Sequence, residues 1–200
     1  MSGKRIAFFD FDGTITTKDS LVEIIKFMRG RMFCYTGLLL HLPWLIAYKL
    51  ELIPNDHAKQ KLLTYFFGGM SESVFQQKCD LFADTILPGM IRPGARKEIE
   101  ELTERGFEIM VVSASADNWI RNWTSRHSLY LIATRLEVKN GLLTGKIQGR
   151  NCRGEQKVVR IRESRNLYEY EEIYAYGDSP GDKPMLALAS KSFYKPFRTA

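Results

Sequence analysis

A short apolar run of β-formers at residues 6–9 hands two carboxylates, Asp10 and Asp12, to a turn at Gly13, after which the hydrophobic period changes from two to about 3.6. Alternate strand residues share a face, so both acids leave the strand on the same side. Side by side in an apolar site they would hold protons unless something positive lay between them, and a metal ion is the simplest answer. Mg²⁺ suits hard oxygen ligands and is commonly held by one or two carboxylates plus substrate phosphate. An Asp beside such an ion can attack a phosphoryl group and form an aspartyl-phosphate, with the second Asp as acid and base. Read alone, the same stretch is also an ordinary Asp-Gly turn, where acids are common for local hydrogen-bonding reasons.

Four amphipathic helices are expected before residue 90. In the first, Leu21, Ile24, Ile25 and Met28 form one stripe, with Asp19 or Ser20 as cap and Gly30 as stop. The second, over residues 32–52, is the most apolar part of the chain. Interrupted by His41 and Pro43 and ending at Lys49 and Glu51, it is no membrane span, and it reads as a buried or kinked helix rather than a membrane contact. The third follows Asn55 and Asp56 and stops at Gly68 and Gly69. In the fourth, Phe75, Cys79, Phe82 and Ile86 recur at helical spacing, and the aromatic and Met residues of this region read as bundle core.

From Ile91 onward helix and strand alternate, the pattern of a parallel α/β sheet. The run FEIMVVSAS reads as a strand buried on both faces. Ser113 therefore stands at a strand's carboxyl end, where open α/β sheets bind ligands. A helix is expected over residues 116–126, a strand over 131–133, and a hairpin around Asn140 and Gly141. A charged helix over residues 154–164 carries Lys157. A strand then runs into GDSPGD with Asp178 and Asp182, followed by a helix over 184–189 and a strand-like SFYKPF.

The net charge of +6 is scattered among 23 acids, which favours anionic substrates and argues against nucleic acid. Cys34, Cys79 and Cys152 are odd in number and in no metal-ligand spacing, which fits a reducing cytoplasm. The first residues are broken by acids too early for a signal peptide. The expected class is α/β: a Rossmann-like three-layer core with a mainly parallel sheet, residues 1–16 and 92–200, plus an inserted α-helical cap, residues 17–91.

Asp10 and Asp12, the strand-end Ser113, Lys157 and GDSPGD together supply what phosphoryl transfer needs. Ser113 and Lys157 would hold and neutralise phosphoryl oxygens, and Asp178 would complete a metal site begun by Asp10. On these motifs the chain resembles the haloacid dehalogenase superfamily, in the phosphoserine phosphatase-like branch with a helical cap after the first motif. The resemblance implies a Mg²⁺-dependent phosphatase acting on a small organic phosphomonoester. It implies Asp10 as nucleophile, Asp12 as general acid/base, and Mg²⁺ on Asp10, the Asp12 backbone carbonyl and Asp178. It further implies phosphate on Ser113 and Lys157, support of the metal shell or of Lys157 from Asp182, and ordering of the first loop by Thr14. Asp19 stands where phosphoserine phosphatases carry the Glu that reads the substrate amine, Ala114 and Ser115 replace their Gly-Gly, and Gly181 replaces an Asn.

Those departures open the substrate. Phosphoserine phosphatase proper, a phosphotransferase, and a non-enzymatic phospho-acceptor of receiver-like architecture are the alternatives. Selectivity must come from the insert, because the four motifs touch only the group common to every phosphomonoester. The expected roof is apolar or aromatic, with Asp19 at its rim as helix cap or as partner for an amine, so phosphoethanolamine or phosphocholine would fit at least as well as phosphoserine. No stable membrane insertion is expected, and the oligomeric state is open.

Overall fold

The computed structural model describes residues 3–50 and 52–198, the side chain of Asn55 excepted; Glu51 and the outermost residues of the expected core lie outside this description. Strand β1 (Lys4–Phe9) is followed by five helices, α1 (Ser20–Arg29), α2 (Arg31–Leu40), α3 (Leu42–Lys49), α4 (Asn55–Phe67) and α5 (Glu72–Thr85). The α/β part then runs α6 (Pro93–Glu104), β2 (Phe107–Ala116), α7 (Arg121–Arg126), β3 (Tyr130–Thr134), β4 (Leu136–Lys139), β5 (Leu142–Ile147), α8 (Glu155–Ser164), β6 (Tyr170–Gly177), α9 (Lys183–Leu186) and β7 (Lys191–Tyr194). Five strands form one parallel sheet in the order β3-β2-β1-β6-β7, a Rossmann-like α/β fold. β4 and β5 pair as a separate antiparallel hairpin.

Period-two alternation in β1 explains the layering. Ala7 and Phe9 face a core shared with Phe107, Ile109, Val111, Ile99 and Leu102, whereas Ile6 and Phe8 face a second cluster with Met110, Val112, Ile161 and Met185. Phe66, Phe67, Phe75 and Phe82 of the inserted helices belong to the first of these clusters, so insert and sheet share one apolar interior. The chain leaves and re-enters the sheet through adjacent segments. Thr17 N donates to Met90 O at 2.8 Å and Arg92 N to Ile15 O at 2.8 Å.

Two expectations need correction. Residues 32–52 are not one helix: the chain turns at His41, and Pro43 lies in the first turn of α3, where its missing N–H is harmless. Most of that segment is not buried either: α2 buries Cys34 and Gly37, none of the α3 residues is buried, and Met32, Phe33, Tyr35 and Trp44 face solvent instead of a bundle core. The helix expected over 116–126 is a short 3-10 turn at Asp117–Trp119 followed by α7.

The β4–β5 hairpin packs on the insert at a position where only glycine fits. Gly145 has φ +78°, and a Cβ there would lie 2.2 Å from the Thr64 Cα of α4. Gly145→Ala should therefore cost about 1–3 kcal/mol from the backbone strain, before any cost of parting hairpin and helix. The midpoint of urea unfolding reads this directly, and an unchanged midpoint would refute the close approach.

Candidate active site

The sheet reverses direction of winding at β1, with β2 on one side and β6 on the other, and ligands in such folds collect beyond the strand ends at that point. Asp10 and Asp12 follow β1, Ser113 lies near the end of β2, and Asp178 and Asp182 follow β6. The first turn and the last loop interlock. Gly13 has φ +81°, and a Cβ on it would fall 2.4 Å from Asp178 Oδ2, so this turn requires glycine for both conformation and space.

Lys157 sits beneath the acids, fully buried. Its ammonium donates to Asp10 Oδ1 at 2.6 Å, to Asp182 Oδ1 at 2.7 Å and to the Val112 carbonyl at 2.7 Å, which occupies all three of its N–H groups. Burial alone would drive the proton off Lys157, but the two carboxylates override it and hold the ammonium charged. Asp182 is saturated in turn: burial would raise its pKa, yet Lys157 and the Ser179 hydroxyl keep it below the usual carboxylate range. Its other oxygen accepts from Ser179 N at 2.9 Å, Ser179 Oγ at 2.7 Å and Asp178 N at 3.2 Å.

Asp10 is pushed up to about 7, because burial, with Asp182 and Asp12 adding to it, outweighs the attraction of Lys157. One ammonium does not balance this cluster. Asp10, Asp178 and Asp182 each offer a carboxylate oxygen within 4.8 Å of the others, a hard, anionic donor set of the kind a divalent ion takes. The residues present therefore fit Mg²⁺. Asp178 also pairs with the Arg198 guanidinium through Oδ2. Thr14 Oγ donates to Asp10 Oδ2 at 3.3 Å, on the side away from Lys157.

Asp12 is anchored by residues that the sequence reading missed. Its Oδ1 accepts from Ser20 N at 2.7 Å and its Oδ2 from Ser115 Oγ at 2.5 Å, while Ser20 Oγ receives the Trp119 indole N–H at 2.9 Å. Burial first, then the nearby Asp19, push Asp12 up to about 6. Ser115 follows Ser113 by two residues, but the register of β2 shifts between Ser113 and Ala116, so strand alternation alone does not announce its contact with Asp12. Ser113 itself is buried and accepts from Ser115 N at 3.0 Å. The cavity wall at this strand end is made by Ala114 and Ser115.

Above the acids lies a cavity of about 500 Å³, roofed by Leu21, Leu45, Tyr48, Ala58 and Leu62 of the insert. The apolar, aromatic roof is as expected, but cations join it: Lys59 from α4 and Arg153 both line the space. Lys59 donates to the Ala114 carbonyl and to Asn151 Oδ1, and burial brings its pKa down to about 8 against the pull of Asp12 and Asp19. Asp19 lines the cavity and also caps α1, accepting from Val22 N at 3.1 Å.

The chain as a whole is similar to known proteins. The family model of haloacid dehalogenase-like hydrolases matches residues 7–187. The chain is 32% identical to the protein CicA of Caulobacter vibrioides, over 95% of this chain and 85% of that one. It is 37% identical to a phosphoserine phosphatase of Methanocaldococcus jannaschii, over 93% and 82%. Among solved structures, a protein of unknown function from Bordetella pertussis Tohama I superposes with a TM-score of 0.82 at 21% identity, covering 96% of this chain and 89% of that one.

Proposed function

The chain belongs to the haloacid dehalogenase-like hydrolases, in their phosphoserine phosphatase-like branch, and from that premise we propose a Mg²⁺-dependent phosphomonoesterase that works through an aspartyl-phosphate on Asp10. The observation that carries this reading is the Lys157 ammonium bridging Asp10 and Asp182 directly beneath the cavity. It fixes one oxygen of Asp10 and leaves the carboxylate able to attack from the other side.

In the first step an Asp10 oxygen attacks phosphorus and the bond to the ester oxygen breaks. The Asp12 carboxyl, in its protonated form, gives its proton to that departing oxygen. In the second step Asp12, now a carboxylate, takes a proton from water as the water attacks the same phosphorus. The Asp10–phosphorus bond breaks, inorganic phosphate departs, and Asp10 regains its carboxylate. Ser20 and Ser115 orient Asp12 for both transfers. Bound to Asp10, the Asp12 backbone carbonyl and Asp178, Mg²⁺ would supply positive charge opposite the phosphoryl oxygens.

Ser113 accepts from the backbone, so its own O–H is the group it can offer to a phosphoryl oxygen. Lys157 can do the same only by giving up one of its three present bonds, the Val112 carbonyl being the uncharged partner. Asp182 positions Lys157. Residues 17–91 act as a cap that brings Lys59 and the apolar roof over the reacting group, and Asp19 remains a candidate contact for a substrate amine as well as a cap of α1.

The test is a panel of phosphomonoesters, including phosphoserine, phosphoethanolamine, phosphocholine and para-nitrophenyl phosphate, assayed for phosphate release with Mg²⁺ and with chelator. Hydrolysis that disappears with chelator and returns with Mg²⁺ is expected. No release across the panel in the presence of Mg²⁺ would overturn the reading.

Lys59 adds a second prediction. A charge-assisted bond to an anionic group is worth about 1.5–3 kcal/mol, so Lys59→Met should raise KM by roughly ten- to a hundredfold with a smaller change in kcat. An unchanged KM for every hydrolysed substrate would remove Lys59 from the binding site.

A further inference from the structure

The hairpin of α2 and α3 carries an apolar surface that the fold does not cover. Among the described residues, ten of the nineteen large hydrophobic side chains facing solvent fall between positions 32 and 52, with Met32 79%, Leu39 69%, Leu40 65% and Leu52 73% exposed. The α3 sequence LPWLIAYK is apolar around its whole circumference, a composition that belongs in an interior, yet it buries no residue. Large exposed patches of this kind mark interaction surfaces.

Size narrows the partner. With 10 and 8 residues, α2 and α3 would span roughly 15 and 12 Å, far short of the hydrocarbon thickness of about 30 Å. Among the described residues no helix is long and apolar enough to cross a membrane. Helices of this length can instead lie in the plane of a bilayer surface, apolar side down.

Charge selects the occupant. Residues 24–50 contain no Asp or Glu; of their cations Lys26 is paired with Glu23 at 2.8 Å, and Arg29, Arg31 and Lys49 complete the set. Lys61 adds a cation 5.2 Å above the Trp44 ring, and Arg31, Lys49 and Lys61 are all exposed. A second copy docking through this face would set the same cations against one another, because a two-fold contact is made of identical patches. An anionic bilayer satisfies the apolar face and the cations together. The hairpin also reaches the site, since Leu45 and Tyr48 of α3 wall the cavity over Asp10 and Asp12 while Trp44 and Ile46 of the same helix face outward.

We propose that the α2–α3 hairpin docks this protein on anionic lipid bilayers, and that the phosphate it removes is the phosphomonoester headgroup of a lipid held in that bilayer. The substrate half rests on the phosphatase reading above and narrows it. The headgroup would enter the cavity past Leu45 and Tyr48, with the acyl chains remaining in the bilayer.

Cosedimentation with phosphatidylcholine vesicles, with and without phosphatidylserine, measures docking. Phosphate release from phosphatidic acid in such vesicles, beside release from para-nitrophenyl phosphate in solution, measures the substrate preference. Wild type should partition to the phosphatidylserine vesicles, less at high salt. Leu39→Glu/Ile46→Glu, which alters exposed side chains outside the cavity wall, should lose at least about tenfold in partition, given the apolar area withdrawn from the bilayer. It should lose a similar factor on phosphatidic acid while keeping its rate on para-nitrophenyl phosphate. Arg31→Glu/Lys49→Glu should lose the preference for phosphatidylserine.

No partition of wild type, or equal partition of the Leu39→Glu/Ile46→Glu variant, would overturn the proposal, and a dimer indifferent to vesicles would assign the face to a second copy. Docking with hydrolysis of para-nitrophenyl phosphate but not of phosphatidic acid would overturn the substrate assignment. Docking with neither hydrolysed would instead count against the phosphatase reading and leave the docking surface standing.

Discussion

Asp10→Asn is expected to lower kcat by at least about ten-thousandfold while leaving the protein folded, because removing a covalent nucleophile costs far more than removing a binding contact. The substitution keeps the shape of the side chain and an oxygen that can accept from Lys157, so the bond now at 2.6 Å has a successor. It removes a charge that is buried beside Asp12 and Asp182 and is already pushed up to about 7. Stability should accordingly change little or improve slightly, and a thermal melt run beside the assay separates the two effects. Acid quenching during turnover with phosphate-labelled substrate should trap an acyl phosphate on the wild type and none on the variant. Hydrolysis at the wild-type rate by Asp10→Asn would refute the assignment of the nucleophile outright.

The sheet was legible because its central strands are apolar runs that only a doubly covered sheet can use. The residues 6–9 run and FEIMVV became β1 and β2, paired in parallel, and Asp10, Ser113 and Asp178 fell at neighbouring strand ends as their positions after those runs required. What escaped was whatever depends on tertiary partners. The support of Lys157 by Asp182 is expected only through the family resemblance, and nothing local in a helix rich in charge says that its ammonium is buried on three acceptors, two of them carboxylates from other elements. Ser20 and Ser115 lie 95 residues apart, and their meeting on Asp12 follows from how α1 is seated over β2. Lys59 lies on a helix of the insert far in sequence from Asp10 and Asp12, and no local pattern shows that α4 brings it to the cavity over them. The apolar stretch at 32–52 misled for the opposite reason. Hydropathy reports what a segment would bury, not whether the rest of the chain supplies anything to bury it against.

Lys157 gives the second large effect, and here stability and activity should fall together. Lys157→Met fills much of the same volume but leaves Asp10 and Asp182 as buried, uncompensated acids at the floor of the cavity. Breaking a buried pair from one side costs about 3–5 kcal/mol, chiefly because the remaining charge stays desolvated. For a chain of 200 residues that is a fall in Tm of roughly 6–20 °C. Turnover should drop as well, since Asp10 loses the contact that fixes its attacking geometry and the phosphoryl group loses a counter-charge. Adding Asp182→Asn to Lys157→Met separates the two losses. The double variant removes one stranded charge and should recover part of the lost Tm, because the cost lies in the uncompensated carboxylate rather than in the missing volume. It should recover no activity, because neither substitution restores a cation under the phosphoryl site. Tm equal to wild type in Lys157→Met would mean that the ammonium and its two carboxylates are not the buried cluster seen beneath the cavity. Recovery of turnover in the double variant would mean that Lys157 serves the fold alone and that another group meets the phosphoryl charge.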